Sequence, residues 1–387
     1  MMTPRRFLIH EDELITVIFL AIIDMAQLLT ILYEEGKIMK RSLVLVLVLA
    51  LGLSTLAACR GQSKEATAGK ESAGNESNSE AGSALAKDLK VAAIFGGAIN
   101  DGNWNETQYN GLKGIEALGA EVSYLENVGD TDAAEAARTY ASEGFDIVYL
   151  TTNSYQDYCT AVAEEFNETM FIQINGTEIG DNFKSVRIAD EEQGFMQGVI
   201  AALLSESGNV GFVGGLEINP IILGSSGFQQ GVDYANENFD LSITPKRIST
   251  GSFTDVNKAK ETAFAMIEEN VDVITPMAND ASIGVMEAAE EKGIMAIGCG
   301  VGQEESAPTR TQVTVVKDVA VAYEVTFAAY LSGTFKEVTE VETYGANKGV
   351  VFLTDWFNND NAELQDKVAD VMKQLANGEI TVSTQTQ

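Results

Sequence analysis

Short apolar runs and longer amphipathic segments alternate along residues 89–380. The short runs are rich in Val and Ile and predict buried strands, whereas the longer segments carry apolar residues every three or four positions and predict helices. In the first half, the predicted strands are 91–95, 122–125, 147–151, 170–174 and 186–189. The predicted helices between them are 104–118, 133–142 and 155–166.

The same alternation repeats in the second half. The predicted strands are 210–213, 243–248, 273–276 and 295–298, and the predicted helices are 221–236, 255–268 and 281–292. Such alternation predicts parallel sheets covered on both faces. We therefore expect an α/β protein of two doubly wound parallel-sheet lobes with a hinged cleft, in which ligands bind at the carboxyl ends of the strands.

The pattern before the folded part is that of a secretory signal. Residues 39–58 begin with basic residues, continue with an apolar run and end in Leu-Ala-Ala directly before Cys59. This order predicts a removable signal peptide of a bacterial lipoprotein, in which the Cys59 thiol is lipidated. We expect the mature protein at the cell membrane, held by acyl chains such as palmitate on the extracytoplasmic face. An ordinary secreted protein is the alternative.

Residues 1–38 precede this signal and contain a second apolar run at 14–33. We interpret Met39 as the true start, because Glu34-Glu35-Gly36 would be encoded by purine-rich codons that resemble a ribosome-binding site. The alternative is a real interfacial or membrane-spanning helix.

Residues 59–88 predict a disordered tether that begins at the lipidated cysteine. From residue 61 onward they contain no aromatic residue, Val or Ile, so they cannot bury enough apolar surface to offset the entropy of ordering. As a flexible coil this segment would hold the folded part roughly 30 Å from the membrane.

Charge and residue counts limit the chemistry. The formal net charge of −32 argues against nucleic acid as a partner. The single histidine, His10, precedes the predicted start, which removes His-based catalysis and His-ligated metal sites. Cys159 and Cys299 have no metal-like spacing and predict two buried free thiols. We therefore expect no cofactor, no metal and no catalytic residues.

The loop after the first predicted strand, residues 96–105, has residues that suit ligand binding. Its glycines permit close approach of a ligand to the backbone, and Asp101 and Asn105 offer hydrogen-bonding groups. Trp104 between them could stack on a flat ligand. The alternative is a tight turn that caps the following helix, with Trp104 packed on the sheet.

Seven short motifs follow in a fixed order behind the lipobox. They are Asp101-Gly102-Asn103-Trp104-Asn105, Asp190-Glu191-Glu192-Gln193-Gly194-Phe195, Val210-Gly211-Phe212-Val213-Gly214-Gly215, Gly227-Phe228-Gln229-Gln230-Gly231, Gly251-Ser252-Phe253-Thr254-Asp255, Ala296-Ile297-Gly298 and Val315-Val316-Lys317-Asp318. In this order the sequence resembles the basic membrane protein (BMP) family of ABC-transporter substrate-binding lipoproteins, which is related to purine nucleoside receptors.

The resemblance implies a periplasmic-binding-protein fold of type I, in which the chain crosses between the lobes three times. On this basis the N-terminal lobe would comprise residues 89–190 and 309–335, and the C-terminal lobe residues 191–308 and 336–380. Within them, residues 311–333 would return to the first lobe and residues 338–376 to the second.

The resemblance also implies a ligand site on both lobes. The family loop that sandwiches and hydrogen-bonds a base is matched by Asn100, Asp101, Trp104 and Asn105. In the segment that begins at Asn153, Tyr155 would supply the second stacking face and Asp157 a polar contact. Lys317 matches a family lysine near the ligand, or it forms a salt bridge near Asp318. Asn279 and Asp280 either cap a helix or reach the cleft.

The chain departs from the nucleoside receptors at Gly300. At the corresponding positions the nucleoside receptors have a segment similar to Val-Asp-Ser-Asp-Gln, and its first aspartate contacts the ribose hydroxyls. Without that carboxylate, a buried ribose would leave hydroxyls unsatisfied at a cost of about 1–3 kcal/mol each. We therefore expect a free purine base or another flat solute.

Together these patterns predict the solute-binding protein of an ABC importer, which is not an enzyme. Its ligand would be a purine base or a nucleoside-like small molecule, and its protein partners would be a permease and an ATPase. Two alternatives stay open: a lipid-anchored sensor or adhesin with the same fold, and an enzyme that uses carboxylates as acid and base on nucleosides or sugars.

Overall fold

The structure is a computed structural model that describes residues 86–101 and 104–385. The predicted signal peptide, the lipidation site Cys59, the interpretation of residues 1–38 and nearly all of the predicted tether lie outside these residues. Within the two described ranges, no helix is both long enough and apolar enough to cross a bilayer.

Twelve strands and nine α-helices make up the described part of the chain. The strands are β1 (Lys90–Ile94), β2 (Glu121–Leu125), β3 (Ile147–Leu150), β4 (Met170–Ile174), β5 (Phe183–Ile188), β6 (Asn209–Gly214), β7 (Thr244–Ser249), β8 (Val273–Met277), β9 (Met295–Gly298), β10 (Thr311–Lys317), β11 (Glu342–Tyr344) and β12 (Val351–Leu353). The helices are α1 (Trp104–Ala117), α2 (Ala133–Ser142), α3 (Gln156–Glu165), α4 (Asp190–Leu204), α5 (Asn219–Phe239), α6 (Val256–Glu268), α7 (Ser282–Lys292), α8 (Ala320–Leu331) and α9 (Ala362–Ala376).

The strands form two six-stranded sheets, each the centre of one lobe. The first has the order β11-β5-β4-β3-β1-β2 and the second the order β12-β10-β9-β8-β6-β7. All pairs are parallel except β10 with β12. The first sheet packs against α1 and α8 on one face and α2 and α3 on the other. The second sheet packs against α4, α5 and α9 on one face and α6 and α7 on the other, which confirms the predicted fold class.

The chain crosses between the lobes three times. It leaves the first sheet after β5, and α4 begins at Asp190 in the second lobe. It returns after β10, since Tyr323 of α8 stacks on Tyr149 of β3 with ring centroids 4.1 Å apart. It crosses again between β11 of the first sheet and β12 of the second.

Two predicted lobe boundaries are therefore wrong. Strand β10 was expected in the first lobe, but it pairs with β9 and β12 of the second sheet. Strand β11 was expected in the second lobe, but it pairs with β5 of the first. Both lobes are built on similar, mostly parallel sheets, and neither Thr311–Lys317 nor Glu342–Tyr344 carries residues specific to one of them, so residue types do not indicate the partner strand.

Helices α4 and α5 pack with their backbones in contact. A Cβ atom added at Gly198 of α4 would lie 2.2 Å from the Phe228 carbonyl oxygen, and one added at Gly231 of α5 would lie 2.0 Å from that of Phe195. Almost every residue of α4 is buried. This packing fixes the first residue of α4, Asp190, at the point where the chain enters the second lobe.

Candidate ligand-binding site

Loops at the carboxyl ends of strands from both sheets meet between the lobes. Trp104 follows β1 in the first lobe, and Lys317 ends β10 in the second. The Lys317 Nζ atom lies 5.3 Å from the centroid of the Trp104 ring. Because open parallel sheets bind ligands at these strand ends, the region around Trp104 is the candidate site.

The Trp104 indole is half-buried and held in a fixed orientation. Its Nε1 donates a hydrogen bond to the Thr151 carbonyl oxygen at 2.9 Å, and Gln108 Nε2 donates to the same oxygen at 3.1 Å. The ring also packs against the core of the first lobe. Trp104 therefore packs on its own lobe, which is one of the two roles considered for it, and the same ring faces Lys317 of the other lobe.

Asp101 caps the helix that carries Trp104. Its carboxylate accepts hydrogen bonds from the backbone N–H groups of Asn105 and Glu106 at 3.0–3.1 Å, and from Asn105 Nδ2 at 2.7 Å. Asn105 is buried, and a Cβ atom added at Gly97 would lie 2.7 Å from its Nδ2. Asn100 is exposed. Of these matched residues, Asp101 and Asn105 hold the loop in shape.

Tyr155 does not face the candidate site around Trp104, which corrects the expectation that Tyr155 supplies the second stacking face. Its side chain is fully buried in the core between the first sheet and α2 and α3. Its hydroxyl donates to the Val128 carbonyl oxygen at 2.6 Å, and burial raises its pKa above the ordinary value. Of its predicted neighbours, Asn153 is half-buried in a 3₁₀ turn and Asp157 is exposed in the first turn of α3.

Lys317 is buried and paired with a carboxylate that the sequence did not single out. Its Nζ donates to Asp190 Oδ1 at 2.5 Å. Asp190 is fully buried, and its other oxygen accepts from Asn175 Nδ2 at 2.9 Å. The predicted salt bridge of Lys317 thus exists, but with Asp190 on another crossing of the chain. Asp190 begins one of the seven motifs of the sequence analysis, and its position directly after a buried strand was the signal for its role.

Asn279 and Asp280 follow β8 in the second lobe, and both are half-buried. Asn279 has a φ of +46°, a left-handed conformation that asparagine tolerates better than most residues. Burial raises the pKa of Asp280, and the negative charge of Asp101 raises it further. Asp280 therefore lies close enough to the first lobe to be affected by the charge of Asp101.

Gly300 is buried two residues after the end of β9 and has no side chain to offer a ligand. The preceding residue, Cys299, is fixed through its backbone: its N–H donates to Gln303 Oε1 and its carbonyl oxygen accepts from Gln193 Nε2, both at 2.9 Å. Burial raises the pKa of the Cys299 thiol. Residues 86–101 and 104–385 contain no cluster of three or more residues suited to holding a metal ion.

Comparisons with known proteins agree with this architecture. A family model described as "ABC transporter substrate-binding protein PnrA-like" (Bmp) matches residues 88–386. A purine-binding protein from Brucella abortus is 29% identical over 301 residues, which cover 76% of this chain and 83% of that protein. Basic membrane protein A from Borreliella burgdorferi is 27% identical over 305 residues, which cover 76% of this chain and 87% of that protein.

A solved structure supports the fold. The solute-binding protein of an ABC transporter system from Aeropyrum pernix K1 superimposes with a TM-score of 0.67 at 20% identity, over 77% of this chain and 94% of that one. At this level of identity the likeness concerns the arrangement of the two lobes and not the ligand.

Proposed function

Since the chain belongs to the PnrA-like (Bmp) family of ABC transporter substrate-binding proteins, we propose that it captures a purine base outside the cell membrane for an ABC importer. The observation that carries this proposal is Trp104, an oriented indole that lies between the lobes beside Lys317. The purine-binding protein of Brucella abortus is a relative whose name supports the same ligand class.

A purine base suits the groups around Trp104. A flat heterocycle stacks on an indole, which contributes about 1–3 kcal/mol per base in other proteins. The Lys317 ammonium is a hydrogen-bond donor, and the carboxylate of Asp280 is an acceptor. The edge of a purine carries both acceptors and donors.

Gly300 favours a free base over a nucleoside. It lacks the carboxylate that could accept hydrogen bonds from ribose hydroxyls, and the residue itself is buried. Each unsatisfied buried hydroxyl would cost about 1–3 kcal/mol. Adenine, guanine or hypoxanthine should therefore bind more tightly than the corresponding nucleosides.

Binding acts through the balance between open and closed arrangements of the lobes. A solute that touches Trp104 on the first lobe and Lys317 or Asp280 on the second makes its full set of contacts only when the lobes are close. It therefore favours the closed arrangement by the free energy of those additional contacts. The closed form would dock on a permease that a separate ATPase drives.

The cellular setting is part of the proposal. Cys59 would carry the lipid anchor, and the segment that follows it would place the lobes outside the membrane. The family is one of solute-binding proteins and not of enzymes, so the ligand should be returned unchanged. Incubation with purine nucleosides should therefore yield no new product by chromatography.

Calorimetry on the purified mature protein tests the ligand class. We expect binding of at least one purine base, weaker binding of its nucleoside, and release of a purine mass when freshly purified protein is denatured. Trp104→Ala should weaken binding by about tenfold to a hundredfold, because the stacking surface is lost.

Trp356→Phe is the matched control for this substitution. It replaces the only other tryptophan of the chain, which packs against the core of the second lobe. This variant should bind like the unmodified protein. Absence of purine binding, or equal binding by the Trp104→Ala variant, would contradict the proposal.

A further inference from the structure

Asp190 joins two of the three crossings between the lobes. It is the first residue of α4, directly after the first crossing, and its partner Lys317 is the last residue of β10, directly before the second. The bond between Lys317 Nζ and Asp190 Oδ1 is 2.5 Å long, and both side chains are buried. A single ion pair therefore links two of the segments that join the lobes.

The carboxylate of Asp190 is itself held in place. Its Oδ2 accepts from Asn175 Nδ2 at 2.9 Å, and Asn175 Oδ1 accepts from the backbone N–H of Ile188 at 3.1 Å. Asn175 adopts a left-handed conformation with a φ of +59° at the end of β4. Asp190 is thus attached to the first lobe at two places, through its own chain and through Asn175.

The ion pair determines where the lysine ammonium lies. A lysine side chain is long and flexible, and a buried ammonium requires an anionic partner. With Asp190 as that partner, the Lys317 ammonium lies 5.3 Å from the centroid of the Trp104 ring, within the range of a cation–π contact. The same ammonium therefore contacts the candidate stacking residue, Trp104, and a residue at a crossing between the lobes, Asp190.

We infer that Asp190 is a positioning residue that holds the Lys317 ammonium beside Trp104, so that contact with the ligand and the arrangement of the segments that join the lobes depend on each other. This inference rests on the proposed purine site. A ligand that enters beside Trp104 meets the ammonium, so it must present a hydrogen-bond acceptor there, such as a carbonyl oxygen or a ring nitrogen. Asp190 acts through Lys317 and does not itself touch the ligand.

Three variants separate positioning from simple support of the fold. Asp190→Asn leaves a buried ammonium without its anion, so both thermal stability and purine affinity should fall, the affinity by about tenfold or more. Lys317→Met removes the ammonium and should lower affinity by a similar factor. Asp190→Asn combined with Lys317→Met removes both charges, so stability should recover towards that of the unmodified protein while affinity stays low.

A second ion pair on the same crossing is the matched control. Arg187 of β5 and Glu191 of α4 form two hydrogen bonds of 2.6 and 2.8 Å, and Glu191 is buried. Arg187→Met combined with Glu191→Gln removes a comparable ion pair at the same crossing but leaves the Lys317 ammonium beside Trp104. Arg187 also interacts electrostatically with Asp190, but the hydrogen bonds that hold Asp190 come from Lys317 and Asn175. This double variant should therefore change stability and leave purine affinity within about twofold.

Tryptophan fluorescence tests the positioning without a ligand. In a Trp356→Phe background, Trp104 is the only tryptophan of the chain. Asp190→Asn and Lys317→Met should each shift its emission maximum, because each displaces or removes the ammonium near the indole. The Arg187→Met, Glu191→Gln control should leave the emission unchanged.

The outcomes distinguish this inference from the proposed function. If the unmodified protein binds no purine, the proposed function fails, and the fluorescence still decides whether Asp190 positions Lys317. If purines bind and the Asp190→Asn, Lys317→Met variant binds them as tightly as the unmodified protein, the inference is overturned. An unshifted Trp104 emission in Asp190→Asn overturns it as well.

Discussion

Asp280 shows how a single carboxylate can lower the stability of the folded protein. Its carboxylate is half-buried, and both burial and the charge of Asp101 raise its pKa from the ordinary value of 3.8. Between 3.8 and the raised value, the folded protein binds more protons than the unfolded chain. Stability therefore falls as pH rises through this window, and the ionised carboxylate disfavours the folded state at neutral pH.

Asp280→Asn should raise the unfolding temperature of the ligand-free protein at pH 7, because the amide carries no charge near Asp101. The gain should disappear below about pH 3.8, where Asp280 is protonated in both states. Thermal unfolding followed by circular dichroism across pH 3–8 measures this difference.

Asp366→Asn is the control for the loss of one negative charge from a chain of net charge −32. Asp366 is exposed on α9, away from the loops around Trp104. If this variant gains as much stability as Asp280→Asn, the effect reflects total charge and not the cleft.

Residue types and the family resemblance predicted part of the site. The loop around Trp104 could be predicted because an aromatic residue among Asp and Asn after a strand is typical of ligand contact. Tyr155 was predicted wrongly because residue order does not show which side of a helix start faces the sheet. Asp190 was missed as a site residue because its partner Lys317 is 127 positions away in sequence, and only the fold brings the two together.

Among the elements, the pair of α4 and α5 is the most demanding in its packing. Four glycines, Gly194 and Gly198 of α4 and Gly227 and Gly231 of α5, lie where an added Cβ atom would be 1.9–2.2 Å from a carbonyl oxygen of the other helix. These glycines recur at intervals of four residues, so they share one face of each helix. The helices approach so closely only because that face has no side chains.

Gly198→Ala should lower the free energy of unfolding by about 1–3 kcal/mol or more, because the methyl group forces the helices apart. Denaturation by urea measures the loss. Gly114→Ala in α1 is the matched control, since an added Cβ atom there has no neighbour within 4 Å. Because alanine favours helix, this control should be more stable by about 0.5–1 kcal/mol. Equal effects at both positions would show that the helix contact is not tight.

Elements with one apolar face were the easiest to predict from the sequence. The helices α2, α6 and α7 lie within one residue of their predicted bounds, and in α2 and α6 an apolar face gives clear helical periodicity. Helix α4 was not predicted as a helix, because it is buried almost all round and has no polar face to give that periodicity. Strands β11 and β12 are three residues long, too short for a pattern to identify them.

For the whole molecule, the two lobes and the three crossings suit closure on a ligand. The loops that carry Trp104 and Lys317 belong to different lobes, and the segments that join the lobes lie beside the ion pair of Asp190. The proposed closure would therefore change the shape of the molecule without rebuilding either sheet.

Small-angle X-ray scattering should show a smaller radius of gyration when a purine base is added at saturation. The Trp104→Ala variant should show no decrease at the same ligand concentration, because the ligand no longer favours the closed arrangement. A radius that stays constant while calorimetry reports binding would contradict closure by the ligand.

The two-lobed α/β architecture could be predicted from the alternation of strands and helices alone. The assignment of the last segments to lobes could not, because a strand late in the chain can pair in either of the two sheets. β10 and β11 show this limit: only their hydrogen-bonded neighbours reveal the sheet to which each belongs.

The position of β11 at the edge of the first sheet also affects how the chain folds during synthesis. A ribosome releases β1 to β5 early, but helix α8 and strand β11 emerge only after the whole strand-and-helix series from α4 to β10. The first lobe therefore stays incomplete until most of the second lobe has been synthesised. Pairing of strands that are so far apart in sequence makes folding slow. The nascent chain should therefore depend on chaperones until α8 and β11 have been synthesised.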